Sequence, residues 1–245
     1  MIIGSRKLYF ERLSSTNTHA SAMLRKSKVQ EGTVIYTGFQ TAGRGQGQNR
    51  WESEKDKNLL MSIVLYPSVI RAEKQFLLSK VISLGIKDFL INYVGEVSIK
   101  WPNDIFIRND KIAGILIENS IIRNEIDHTI AGIGLNINQE HFPKELTNAT
   151  SMKILTGRDY NLGQCLEELS EKLDARYKLL LYNRINRIDD DYKLSLYRFD
   201  QFTEFRDSRG LFEGKIISVT DSGRIQIEDR KSRIYEYGFR EVDFL

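Results

Sequence analysis

Three apolar runs crowd into one stretch of the chain: Asp104–Ile107 (DIFI), Lys111–Glu118 (KIAGILIE) and His128–Asn138 (HTIAGIGLNIN). Each is too short to cross a bilayer and rich enough in isoleucine and leucine to read as a buried strand. Asn109-Asp110 between the first two suits a tight turn, so they read as a hairpin. Trp101 precedes Pro102 and is therefore extended, which makes Trp101–Asn103 a loop leaving a strand over Val97–Lys100. The unusual feature is the lip of this hairpin. Lys100, Asn103, Asp104 and Lys111 put two ammonium groups, an amide and a carboxylate beside the most hydrophobic strands in the chain.

Similar reasoning organises the rest. Lys7–Leu13 alternates enough for a strand, and Ser14–Asn17 (SSTN) supplies N-cap chemistry for a short helix with Ala20, Met23 and Leu24 on one face. Thr33–Phe39 and Asn58–Tyr66 are β-branched or apolar and predict strands, with a polar, glycine-rich loop from Gln40 to Lys57 between them. Arg71–Val94 has helical periodicity and predicts a helix covering one face of the sheet. A second stripe, Leu162 to Leu180, is expected to pack on the sheet until the charged run NRIDDDYK interrupts it. From about Phe202, short strands with turn signals predict a small β-barrel-like module. The expected architecture is α+β, a mixed sheet with packed helices over residues 1–198 and a small β module over 199–245.

Composition excludes more than it selects. The 245 residues carry 36 basic and 33 acidic groups, too even a balance to announce a nucleic-acid or membrane partner. From Leu196 to Leu245 nine Lys/Arg face ten Asp/Glu, so the β module lacks the electrostatic footprint of an RNA binder. The single cysteine, Cys165, allows no internal disulfide and fits a reducing cytoplasm. No signal-peptide-like segment is evident at the N-terminus, and His19, His128 and His141 show no ligand spacing, so no protein-built metal site is expected.

Three stretches carry chemistry. Gly43, Gly45 and Gly47 let backbone N–H groups approach an anion, and Arg44 and Arg50 add permanent charge, although a glycine-arginine loop is often only a flexible surface loop. Its spacing matches neither a Walker loop nor a dinucleotide fingerprint. Ser15, Thr16 and Asn17 read first as a helix start, and second as donors to a carbonyl or anion. Lys111, by the period-two rule, projects with Ala113, Ile115 and Ile117, either as a strand-end lysine reaching for water or as a charge aimed at a ligand near Gly114.

Taken in order and spacing, SSTN, QTAGRGQGQNRW, KWPNDI, KIAGILIE and AGIGLNIN resemble the biotin–protein ligase family over nearly the whole chain. The resemblance implies a fold of the class II synthetase-like, biotin/lipoate ligase type with an SH3-like C-terminal domain. It also implies a reaction: biotin and ATP, with Mg²⁺, give biotinyl-5′-AMP, and a lysine of a biotin carboxyl carrier domain then takes the biotinyl group. By that likeness Lys111 and Arg44 hold carboxylate and α-phosphate, and Asp104 orients or deprotonates the incoming amine. Ser15, Thr16, Asn17, Gln40, Gly43 and Gly114 then bind biotin, while Gly45, Gln46, Trp51, Asn103 and Asn136 lie on the ATP side. One departure stands out. Gln46 occupies a position where many members carry a second arginine, which puts retention of the adenylate by this loop in question. The resemblance leaves room for a homodimer. With fourteen residues before Ser15, no DNA-binding domain and no DNA or membrane partner are expected. Two other readings stay open: a lipoate–protein ligase, which also acylates lysine, and a nucleic-acid-binding module.

Overall fold

The computed structural model describes residues 1–245. Its first seven strands are β1 (Lys7–Leu13), β2 (Val34–Gln40), β3 (Leu59–Leu65), β4 (Val97–Lys100), β5 (Asp104–Ile107), β6 (Asp110–Ile122) and β7 (Glu125–Leu135). They form one sheet in the order β1-β2-β3-β7-β6-β5-β4. β1 runs parallel to β2 and every other pair is antiparallel, so the sheet is mixed as expected. β3 is buried at all seven positions, which is why it reads as a continuous apolar run and not an alternating one.

Alternation along the strands divides the core between the two faces. Val34, Ile63, Ala131 and Ile133 join a large cluster with α2 (Phe76–Val94) and α4 (Leu162–Leu181), while Ile35, Val64 and Ile130 join a small one with Ala20 of α1 (Thr16–Lys26). The α1 side is thus only partly covered, and the remainder of that face is free to form a site. α3 (Met152–Thr156) follows the last strand of the sheet.

The helices depart from expectation in three ways. α2 begins at Phe76 because Arg71 is extended and bridged to Glu125, with a 3₁₀ turn at Ala72–Lys74 in between. The stripe on α4 packs chiefly on α2 and not on the sheet, and Gly85 permits the crossing: a Cβ there would lie 2.7 Å from Leu173 Cδ2. The charged run after α4 is itself a helix, α5 (Ile185–Leu194), which buries Ile188 and Tyr192. Its acidic side is neutralised across the helices, since Arg176 of α4 binds both Asp88 and Asp191.

The hairpin also differs in register. Its turn falls at Arg108-Asn109, one residue earlier than Asn109-Asp110, and Arg108 takes the positive φ of 55°. Asp110 opens β6 opposite Ile107. Lys111 then pairs with Phe106 and Ala113 with Ile105, so Ile112 is an extra residue, a β-bulge. This overturns the expectation that Lys111 shares a face with Ala113 and Ile115. The bulge inverts the alternation and sets Lys111 on the face of Gly114, whose Cβ would lie 3.4 Å from Lys111 Cε.

The C-terminal strands are β8 (Phe202–Asp207), β9 (Gly210–Val219), β10 (Ile225–Asp229), β11 (Ile234–Tyr237) and β12 (Asp243–Phe244). They form an antiparallel sheet in the order β11-β10-β9-β8-β12. It is anchored beside the hairpin: Trp101 Nε1 donates to Gly223 O at 2.9 Å, and the Lys100 ammonium sits 4.9 Å from the ring centre of Phe106 and 5.5 Å from that of Phe244. Burial lowers the pKa of Lys100. No helix is long and apolar enough to cross a membrane.

Candidate active site

The site begins with what the sheet lacks. On the α1 face, Gly132 and Gly134 of β7 and Gly114 of β6 leave bare backbone, Gly114 lying directly across from Gly134. Two side chains fill that space. A Cβ on Gly132 would meet Asn17 Oδ1 at 2.3 Å, and one on Gly134 would meet Trp51 Cε2 at 2.3 Å. The alternation of glycine and isoleucine in AGIGLNIN therefore serves a close approach from above.

Asn17 reaches this floor from the start of α1. Ser15, Thr16 and Asn17 are all at least 96% buried, unlike an ordinary solvated helix start. Ser15 occupies the N-cap position without making a side-chain cap bond, contrary to the N-cap reading of SSTN. Gln40, at the end of β2, does that work instead: its Oε1 accepts from Thr16 N at 2.8 Å and from Thr16 Oγ1 at 3.2 Å. Ser62 Oγ donates to Asn17 Oδ1 at 2.6 Å, and Asn17 Nδ2 donates to Glu118 Oε2 at 2.8 Å. Ser62 and Glu118 were not singled out in the sequence. Each lies on a strand remote in sequence from SSTN, and only pairing of the strands brings them to it.

Glu118 has a second task. Both of its oxygens accept from Arg44, at 2.8 and 3.2 Å, so one carboxylate fixes an amide and a guanidinium together. The glycine loop that carries Arg44 is folded on itself: Arg44 bridges Arg50, and Gly45 N donates to Asn49 O at 2.8 Å. Gly43 lies outside the cleft wall. Its missing side chain makes room for the Trp51 carbonyl, 2.2 Å from where a Cβ would sit.

Trp51 divides the site in two. On one side is a cleft holding about 790 Å³, part of it open to solvent, lined by Ser15–Asn17, Gln40, the loop and the Pro102–Asp104 segment. On the other side is a smaller space of about 440 Å³ bounded by Arg50, Asn136, Phe142 and Asn148. Lys111 borders both. Its ammonium is ion-paired with Asp104 at 2.7 Å and lies 5.6 Å from the indole centre. Asn103 is committed to the backbone, since its Nδ2 donates to Ile115 O at 2.8 Å and its carbonyl accepts from Ile115 N, which pins the Trp101–Asp104 segment to β6. Asn136 donates to Thr150 O and leaves its buried Oδ1 without a partner, as do Trp51 Nε1 and Gln46 Oε1. Buried polar atoms seldom stay unpaired, and these three face the two spaces or the loop between them.

Of the residues expected to act together, then, all but Gly43 and Asn136 line the larger cleft, and Asn136 lines the smaller one. The arrangement can hold an apolar molecule with a polar head against Ser15–Asn17 and Gln40, and bring its far end to a lysine that also faces a second, smaller space.

Known proteins give the same outline. The chain is 29% identical over 234 residues to the bifunctional ligase/repressor BirA of Bacillus subtilis, covering 93% of this chain and 70% of that one. It is 28% identical over 167 residues to the biotin–[acetyl-CoA-carboxylase] ligase of Mycobacterium tuberculosis, covering 66% and 60%. Its fold matches that of biotin protein ligase from Aquifex aeolicus, solved with biotin and ATP, with a TM-score of 0.81 at 24% identity over 98% and 99% of the two chains. The biotin/lipoate A/B protein ligase family model matches residues 9–136, the span that builds the glycine floor, the folded loop and Lys111, and the chain belongs to that family.

Proposed function

We propose that this protein attaches biotin to a lysine of a biotin carboxyl carrier domain, using ATP and passing through biotinyl-5′-AMP. The observation that carries the reading is Lys111: the bulge at Ile112 turns it out of the core to the one place where it borders both spaces beside Trp51. A cation there meets two anions that must approach each other, a carboxylate from one side and an α-phosphate from the other.

In the first step a carboxylate oxygen of biotin bonds to the α-phosphorus, and the bond to pyrophosphate breaks with its electron pair leaving on pyrophosphate. Lys111 and Arg44 offset the charge, and Mg²⁺ enters as part of the ATP complex. In the second step the neutral amine of the acceptor lysine bonds to the acyl carbon, AMP leaves, and the proton lost from nitrogen passes to Asp104. Asn136 and Trp51 are proposed to line the nucleotide side. Residues 1–198 would form the catalytic domain and 199–245 an SH3-like module, and the lone buried Cys165 suits a cytoplasmic setting.

The family name covers lipoate as well as biotin. Ser15, Thr16, Asn17 and Gln40 favour biotin, because a ureido ring presents a carbonyl acceptor and two N–H donors to such an edge, whereas a dithiolane presents neither. Exchange of labelled pyrophosphate into ATP tests this. Biotin is expected to support exchange and lipoic acid to leave it at background. Exchange driven by lipoic acid alone would reverse the assignment.

A further inference from the structure

The turn after β11 reaches back from the C-terminal sheet into the cleft. Phe239 is part of the cleft wall. Beside it the Arg240 guanidinium lies over the folded loop, its Nη2 2.9 Å from where a Cβ on Gly47 would sit. Gly47 can host that approach because it has no side chain, and it follows Gln46, a neutral residue with an unpaired buried oxygen. Arg240 itself has a φ of 65°, a conformation that favours glycine and is uncommon for arginine. The backbone is held there: Glu241 N donates to Gly238 O, Gly238 N donates to Glu241 Oε2 at 2.6 Å, and Arg224 donates to the same oxygen at 2.7 Å. An arginine kept in a glycine conformation and aimed at a ligand loop is an observation that calls for a role.

The charges of the cleft supply one. Lys111 is paired with Asp104, and Arg44 is held by Glu118. Of the arginines at the loop, Arg50 and Arg240 have no carboxylate partner within the chain, unlike Arg44. Arg50 lines both the cleft and the space behind Trp51, at the base of the loop, whereas Arg240 lies over the tip of the loop at Gly47, next to Gln46.

We infer that Arg240, presented by the C-terminal sheet, is a phosphate-binding residue of the cleft, supplying from outside the loop the fixed charge that Gln46 does not, with Phe239 shielding the contact from water. The inference rests on the acyl-adenylate reading of the site. It also gives the C-terminal sheet a part in retaining the intermediate. The link runs through Trp101 as well, because Trp101 joins the β9–β10 turn to the segment that carries Asp104.

The test uses the whole protein and synthetic biotinyl-5′-AMP, chased with excess unlabelled compound. Replacing a charge-assisted phosphate contact by a neutral one at this partly exposed place should speed release about three- to thirtyfold in Arg240→Gln. Affinity for biotin alone should not change. Arg240→Gly separates charge from fold: it relieves the positive φ, so its melting temperature should equal or exceed that of the wild type while release is still faster. Adding Gln46→Arg to Arg240→Gln should restore slow release. Equal release from wild type and both Arg240 variants would overturn the inference, as would a loss of biotin affinity in step with that of the adenylate. If the wild type fails to bind the synthetic adenylate at all, the functional reading falls and this inference falls with it. If the wild type binds it and the variants do not differ, only the role of Arg240 is lost.

Discussion

Glu118 shows how one side chain can matter more for position than for stability. Its ion pair with Arg44 joins a half-exposed guanidinium to a carboxylate about one-third exposed, a pair worth about 0–1 kcal/mol to folding. Yet the same carboxylate sets the direction of Arg44 and of the buried Asn17 amide. Glu118→Gln should therefore move the melting temperature by no more than about 2–4 °C, while the KM for biotin rises roughly five- to thirtyfold through two weakened charge-assisted bonds. A large loss of stability with an unchanged KM would make Glu118 a merely structural residue. Asp104 is tested separately. Asp104→Asn keeps the shape but removes the base, so consumption of pre-formed biotinyl-adenylate by a carrier domain should slow by roughly a hundredfold. Equal consumption by variant and wild type would withdraw that role.

The glycine floor and the bulge govern the site at the scale of elements. Gly134→Ala places a methyl group 2.3 Å from Trp51 Cε2, and the loop-borne indole should yield before β7 does. The expected result is a red shift in tryptophan emission and a raised KM for ATP, with near-UV and far-UV spectra otherwise preserved. Unchanged emission and KM would mean that the indole does not rest on this floor in solution. How much of this was legible in the sequence depends on how local each signal is. β1 was legible to the residue, and Ser15–Asn17, Gln40, Arg44 and Lys111 stood out because each belongs to a compact motif. The face of Lys111 was not legible. It depends on an extra residue at Ile112, which is defined only by pairing with β5. The first turn was misplaced for a similar reason, since Asn-Asp chemistry pointed to 109–110 while the bulged register set the turn at Arg108-Asn109. Ser62 and Arg240 belong to no motif, and Glu118 closes KIAGILIE with no role readable from the motif itself. They come to the cleft only through contacts with segments distant in sequence.

At the scale of the whole molecule, two sheets and a helical layer share one continuous hydrophobic core, from Ile3 through α2 and α4 to Phe205 and Ile227. Its polar tie points give the protein a pH dependence. Tyr177 is fully buried, and its hydroxyl donates to Glu31 Oε1 at 2.7 Å. Burial first, and the Glu31 hydrogen bond second, raise its pKa above the ordinary 10.0. A raised folded-state pKa contributes stability that is fully present below pH 10 and is lost as pH climbs through the folded value. Tyr177→Phe should cost about 1 kcal/mol near neutrality and flatten the alkaline fall in melting temperature, though Tyr66 and Tyr237, shifted the same way by burial, would keep part of it. An identical alkaline limb in variant and wild type would remove Tyr177 from that account. The central claim, that this fold joins biotin to a protein lysine by way of Lys111, is tested most directly by intact mass. Purified protein, biotin, ATP with Mg²⁺ and a biotin carboxyl carrier domain should yield a carrier heavier by one biotinyl group with the wild type, and an unmodified carrier with a folded Lys111→Ala variant. A carrier left unmodified by the wild type, or modified equally well by the variant, would contradict it.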